Sequence, residues 1–149
     1  MITCTKTDSE NKDFQKLVQE LDADLRIRDG EEHSFFAQFN KIDSIRNVVV
    51  AYEQEVPVGC GAIKYYDENT MEVKRMYVPP EYRGKGIASI VLATLENWAK
   101  ELGYKKCILE TGEKQPEAIA LYHKNQYNVI PNFGQYADVP TSVCFEKLL

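Results

Sequence analysis

The chain has 149 residues, 44% of them hydrophobic and 28% charged, with a formal net charge of −5, which suits one domain over residues 1–149 with its own core. The acidic balance argues against nucleic acid as the main partner, because phosphate binding needs a basic surface, and mildly favours a cationic substrate such as an amine. No apolar run approaches a membrane span and the opening "MITCTKTDSENKD" lacks the apolar core of a signal peptide, so no membrane association is expected and the expected location is the cytoplasm.

In chain order, "MITCTK" alternates enough for a first strand. Asp8 or Ser9 can cap a helix whose apolar face is Phe14, Leu17, Val18, Leu21 and Leu25, spaced by three and four. "HSFFAQFNKI" suggests a second short helix. "NVVVAYE" is a β-branched strand, and "EQEVP" turns it into "VGCGAIKYYD" to complete a hairpin. "MEVKRMYV" is the next strand, ended by Pro79 and Pro80. A long helix follows with Ile87, Val91, Leu95, Trp98 and Leu102 on one stripe, and Gly103 stops it. "KKCILET" is another strand, and Pro116 suits the first turn of a helix through "EAIALYHKN". "YNVI" and "TSVCFEKLL" close the chain as strands around the polar, aromatic loop "PNFGQYADVP". The order predicts a mixed α/β fold, with about seven strands and helices on both faces.

Four cysteines, Cys4, Cys60, Cys107 and Cys144, are scattered through strand-like segments with no Cys-x-x-Cys pair. Reduced, mostly buried thiols are expected, and no metal site. A cysteine paired with His33 or His123 has no local support.

The stretch Arg83-Gly84-Lys85-Gly86 stands between a strand and a helix. The first N–H groups of a helix lack internal partners, and the helix dipole adds partial positive charge there. Glycines let an anion approach the backbone, and two cations add charge, so the segment reads as an anion site. The bland alternative is a glycine-rich helix start with solvated cations. The nucleoside-triphosphate loop does not fit, since no glycine stands five residues before Gly84. The dinucleotide fingerprint fits only its first half, because Ser89 occupies the position of the last glycine.

Arg83-Gly84-Lys85-Gly86-Ile87-Ala88 matches the Gln/Arg-x-x-Gly-x-Gly/Ala signature of the GNAT superfamily of acyl-CoA-dependent N-acetyltransferases. "MEVKRMYVPPEYRGKGIA" resembles that superfamily's fourth strand and pyrophosphate loop. "ILETGEKQPEAIALYHKNQY" resembles its fifth strand and following helix, with the "A-I-x-L-Y" pattern. The two blocks cover about residues 71–127. The resemblance implies a sheet whose central parallel strands, the fourth and fifth, splay apart, with mostly antiparallel neighbours and about four helices.

It further implies acetyl-CoA as cosubstrate, with no metal. The pantetheine arm would pair with Met76, Tyr77 and Val78 like an added strand. The pyrophosphate would sit on the backbone of Gly84, Lys85, Gly86, Ile87 and Ala88, with Arg83 and Lys85 near the phosphates. Gln115 stands where many members have Asn contacting the pantetheine. Tyr122 matches the tyrosine that protonates the leaving thiolate; the alternative is a buried tyrosine packing on Ala118 and Ile119. Glu72 matches a strand position that carries the general base in some members, on a face shared with Lys74, Met76 and Val78. The alternative is a solvent-facing glutamate paired with Lys74 or Arg75. His123 reads as a surface residue.

The acceptor pocket would use "LRIRDGEEHSFF" and "PNFGQYADVPTS", with Asp29, Glu31 and Glu32 drawing in an amine and Tyr136 and Asp138 lining the site. The expected function is direct acetyl transfer from acetyl-CoA to a primary amine on a small molecule, peptide or protein. A non-catalytic acyl-CoA-binding module on the same fold, transfer to a hydroxyl, and transfer of a longer acyl chain are the alternatives. Exposed closing strands leave room for a homodimer.

Overall fold

The structure is a computed structural model that describes residues 1–29 and 45–149. The expected helix in "HSFFAQFNKI" and residues Glu31 and Glu32 of the acidic cluster lie outside the described residues, as does the Asp29 side chain. Seven strands form one sheet: β1 Ile2–Thr7, β2 Asn47–Glu53, β3 Val56–Asp67, β4 Thr70–Tyr77, β5 Lys106–Gly112, β6 Asn128–Ile130 and β7 Ser142–Leu148. Three α-helices are described: α1 Lys12–Asp29, α2 Ile87–Glu101 and α3 Pro116–Lys124. The strand order is β1-β2-β3-β4-β5-β7-β6. Only β4 and β5 run parallel; every other pair is antiparallel.

Helices cover both faces of the sheet, which explains β2. Val48, Val49, Val50 and Ala51 are all buried, so this strand shows a continuous apolar run rather than alternation. Val48 and Val50 pack with Phe14, Leu17, Val18 and Leu21 of α1. Val49 and Ala51 pack with Ile87, Val91, Leu92 and Leu95 of α2.

Two expectations at helix ends need correction. Helix α1 is capped by Asn11, whose Oδ1 accepts the Phe14 N–H at 2.9 Å, and not by Asp8 or Ser9. Asp8 instead accepts the Glu10 N–H at 2.9 Å, a short turn that aims the chain into the helix. On α2, Leu102 is half exposed as the C-cap residue, and Leu92 and Ala99 complete the buried stripe. Gly103 follows at φ 95° and ends the helix as expected.

Candidate active site

Strands β4 and β5 pair only through Thr70–Lys106, Met71–Cys107 and Glu72–Ile108. Past that point they part, and a cleft opens between Val73–Met76 on one wall and Glu110–Gly112 on the other. A β-bulge in β4 produces the parting. Cys60 pairs with Tyr77 and Ala62 with Lys74, so Gly61 alone stands opposite both Arg75 and Met76. Arg75 takes φ 59°, the left-handed region. A Cβ on Gly61 would lie 2.5 Å from Met76 Sδ and 2.8 Å from Leu95 Cδ1, so any larger residue opposite the bulge would push these side chains aside.

The bulge also overturns one expectation. Met71 and Val73 join the core under α2, leaving Glu72 and Lys74 on the α1 side. Arg75 stays on that side, where its Nη2 donates to Asp22 Oδ1 of α1 at 2.7 Å. Alternation resumes one residue late. Met76 and Val78 therefore pack on the α2 side and Tyr77 on the α1 side. Glu72 shares its face with Lys74, but not with Met76 or Val78.

Glu72 is only 7% exposed, so it is not a solvent-facing strand glutamate. Burial raises its pKa, and the ammonium of Lys74, 3.7 Å away, pulls the other way. Lys74 is itself buried, and burial lowers its pKa against the pull of Glu72. Both residues line the cleft, together with Leu21 and Leu25 of α1.

Tyr122, from α3, lines the same cleft. It is buried, and burial followed by the charge of Glu110 pushes its phenol well above the usual tyrosine range, so it is protonated at neutral pH. Its ring lies 5.7 Å from both the Tyr127 and Phe145 rings. Tyr127 caps α3, its N–H reaching the Tyr122 carbonyl at 2.9 Å, while the Gln126 N–H reaches that of His123 at 3.1 Å. This is a Schellman motif, and its apolar contact is the Tyr122–Tyr127 pair. Gln115 lines the cleft as the N-cap residue of α3.

Tyr136 lines the cleft as expected; Asp138 is exposed and does not. Tyr136 is held by an aromatic ladder, with ring centroids 5.8 Å to Phe133 and 5.5 Å from Phe133 to Tyr66 of β3. The residue-type reading missed Glu110. It lies on β5 across the cleft from Glu72, and its Oε2 accepts the Ser142 hydroxyl at 2.7 Å. Its signal was its place twelve residues before Tyr122, at the end of an apolar strand.

A second depression adjoins the start of α2. Val78, Arg83, Gly84, Gly86, Ile87 and Ala88 line it, facing Leu121 and Lys124 of α3. Gly84 and Gly86 take φ 81° and 78°, and a Cβ on either would meet nothing within 4 Å. The turn's backbone, rather than crowding, requires glycine, and the space above it is open. Gly86 is the N-cap and supplies no side chain to cap the first N–H groups of α2. An anion can take that role. Arg83 is partly committed elsewhere, its Nε donating to the Val78 carbonyl at 2.8 Å. Lys85 is exposed and sits against the Tyr82 ring instead of lining the depression. Lys124 is a cation facing this turn that spacing alone did not single out.

These features have counterparts in known proteins. The sequence pattern described as "Acetyltransferase (GNAT) family" matches residues 9–127. The IAA acetyltransferase of Azospirillum brasilense is 40% identical over 102 residues, 68% of this chain and 67% of that protein. The uncharacterized N-acetyltransferase YjgM of Escherichia coli is 43% identical over 77 residues, 50% of this chain and 46% of that protein, so the chain spans under half of it. A crystal structure from Klebsiella pneumoniae, assigned as an acyl-CoA N-acyltransferase, superposes with a TM-score of 0.84 at 30% identity, over 100% of this chain and 98% of that one. PaiA N-acetyltransferase from Thermoplasma acidophilum, solved with coenzyme A, shares the fold at a TM-score of 0.74 and 20% identity, over 100% of this chain and 99% of that one. The splayed strands, the uncapped glycine turn and the matched sequence pattern agree: this chain belongs to the acetyltransferase (GNAT) family.

Proposed function

We propose that the protein moves the acetyl group of acetyl-CoA directly onto a primary amine, with Glu72 as general base and Tyr122 as general acid. The observation that carries this reading is their convergence: both line one cleft, at the point where β4 and β5 part. The pantetheine arm would pair with Met76, Tyr77 and Val78, beside Gln115. The pyrophosphate would cap the start of α2 at Gly84–Ala88, near Arg83, Lys85 and Lys124.

An ammonium group has no lone pair and a reference pKa of roughly 10, so the acceptor must lose a proton before attack. A carboxylate with a raised pKa is a better base near neutral pH than an ordinary one. The tetrahedral oxyanion needs a donor, which a backbone N–H of the bulged 76–78 stretch can supply. Collapse expels the CoA thiolate, and the protonated Tyr122 phenol can give it a proton. One observation favours a second assignment for the base: Glu72 is ion-paired to Lys74, whereas Glu110 on the opposite wall is fixed by the Ser142 hydroxyl.

The N-acetyltransferase names of the relatives support an amine acceptor. The chain would act in the cytoplasm as one acyltransferase domain, and its free cysteines suit that reducing location. Exposed Val129 and Leu148 on β6 and β7 support a homodimer, which sedimentation would test.

The deciding experiment pairs a thermal shift with a thiol-release screen. Acetyl-CoA should raise the Tm by mass action on the folded state, by an amount set by RT ln(1 + [L]/Kd). A panel of amines, peptides included, should then yield at least one that releases CoA thiol. No shift at high acetyl-CoA would sink the reading.

A further inference from the structure

Lys74 is a primary amine standing inside the cleft to which the proposed reaction brings an acetyl thioester. It sits on β4 between the base candidate Glu72 and Met76, along the edge that β5 leaves unpaired past Glu72. Two strand residues span about 7 Å, within reach of a long lysine stem. Its ammonium lies 3.7 Å from the Glu72 carboxylate, and its side chain is only 5% exposed. A lysine this buried is rare unless it is paired, and here the pairing with Glu72 holds it in the cleft. We infer that Lys74 is a self-acetylation site: with no acceptor bound, the enzyme transfers the acetyl group to the Nζ of its own Lys74.

The step balances without further reagents. The Lys74 ammonium gives one proton to Glu72. The neutral Nζ attacks the acetyl carbon and forms the N–C bond. The thioester C–S bond breaks, and the departing sulfur receives the second proton from Nζ by way of Tyr122, leaving CoA thiol. Glu72 later releases its proton to solvent. Lysine, acetyl-CoA and nothing else become an amide, CoA thiol and a proton. Loss of ammonium character on burial works in the same direction, since a larger share of Lys74 is then nucleophilic.

The product is an amide, too stable to pass its acetyl group on, so it is a mark and not an intermediate. It removes the cation beside Glu72. A buried carboxylate that loses its partner is protonated more readily, and the acetamide occupies space in the acceptor cleft. Self-acetylation would therefore slow acceptor turnover whenever acetyl-CoA is abundant and acceptor is scarce.

The inference rests on the acetyl-transfer reading, and the test separates the two. The purified protein is incubated with acetyl-CoA alone and followed by intact mass and peptide mapping. The expected result is one added acetyl group, located on Lys74, at a rate independent of protein concentration. Acceptor turnover should fall in step, and saturating acceptor amine should prevent both changes. Lys74→Arg should abolish the mass gain. Spontaneous acetylation would mark exposed lysines such as Lys85 and Lys105 first and spare a buried one. A protein that turns over an acceptor amine yet leaves Lys74 unmodified overturns this inference alone. A protein whose Tm does not respond to acetyl-CoA overturns both readings.

Discussion

Tyr122 is anchored three ways: its carbonyl accepts the Tyr127 N–H, its ring meets Tyr127 and Phe145, and its phenol faces the cleft with its proton held on. Packing and chemistry therefore do not compete at this residue, and removal of the hydroxyl leaves the ring contacts in place. Tyr122→Phe should lower kcat by about 100-fold or more, the usual worth of a positioned acid, while the Kd for CoA barely moves; equal kcat values would remove the acid role. Glu72 gives a pH test. A base works only when deprotonated, so a pKa raised by burial shifts the acid limb of kcat/KM to higher pH than an ordinary glutamate would show. Glu72→Gln should abolish that limb along with most activity. If the limb survives in Glu72→Gln and disappears in Glu110→Gln, the base is Glu110. Glu72 and Tyr122 could be picked from sequence by alignment of motif blocks. Strand alternation also offers the Lys74–Glu72 pair, since both residues precede the bulge, but not their burial, nor the opposing Glu110, which only the parting of β4 and β5 brings into the cleft.

At the scale of elements, helix termini and turns explain why some expectations held. Gly84, Gly86 and Gly103 all take positive φ, and glycine announces such positions in sequence. Gln126 takes the same kind of conformation, φ 69°, with nothing in its residue type to announce it. Both α2 and α3 end in Schellman motifs, closed by Tyr104 N–H to Ala99 and Tyr127 N–H to Tyr122. Only the first has glycine at the left-handed position. Gln126→Gly should therefore stabilise the protein by about 0.5–1 kcal/mol, read as a higher denaturation midpoint with an unchanged slope. A lower midpoint would show that the Gln126 side chain contributes more than its backbone costs. The bulge is the counterexample. Its glycine, Gly61, is visible in "VGCGAIKYYD", but its partner Arg75 has a non-glycine left-handed backbone that only cross-strand pairing reveals.

On the scale of the whole molecule, the sheet is two sheets sharing a short seam. Strands β1–β4 form one half and β5–β7 the other, joined by three parallel residue pairs. The order of elements made this architecture legible, because strand, glycine turn, helix and strand in succession dictate a parallel crossover. The extent of the seam was not legible, since it depends on where the bulge turns β4 away. A ligand that pairs with β4 inside the wedge should act as a missing strand. Hydrogen exchange at residues 76–78 should slow when acetyl-CoA is added, and exchange in β1 and β2 should change little beyond the global shift. Uniform slowing, with no excess at 76–78, would argue against strand-like pairing.

The cysteines scattered through this sheet have a practical consequence. Burial pushes the thiols of Cys60 and Cys107 up to about 12 and that of Cys144 to about 11. Thiolate is the form that attacks a thiol-reactive dye, so near neutral pH these three are almost entirely unreactive while the protein stays folded. Only Cys4 is partly exposed. A colorimetric assay of CoA release would then see the product over a background of at most one thiol per chain, Cys4, and a sudden rise beyond it would report that the enzyme had unfolded.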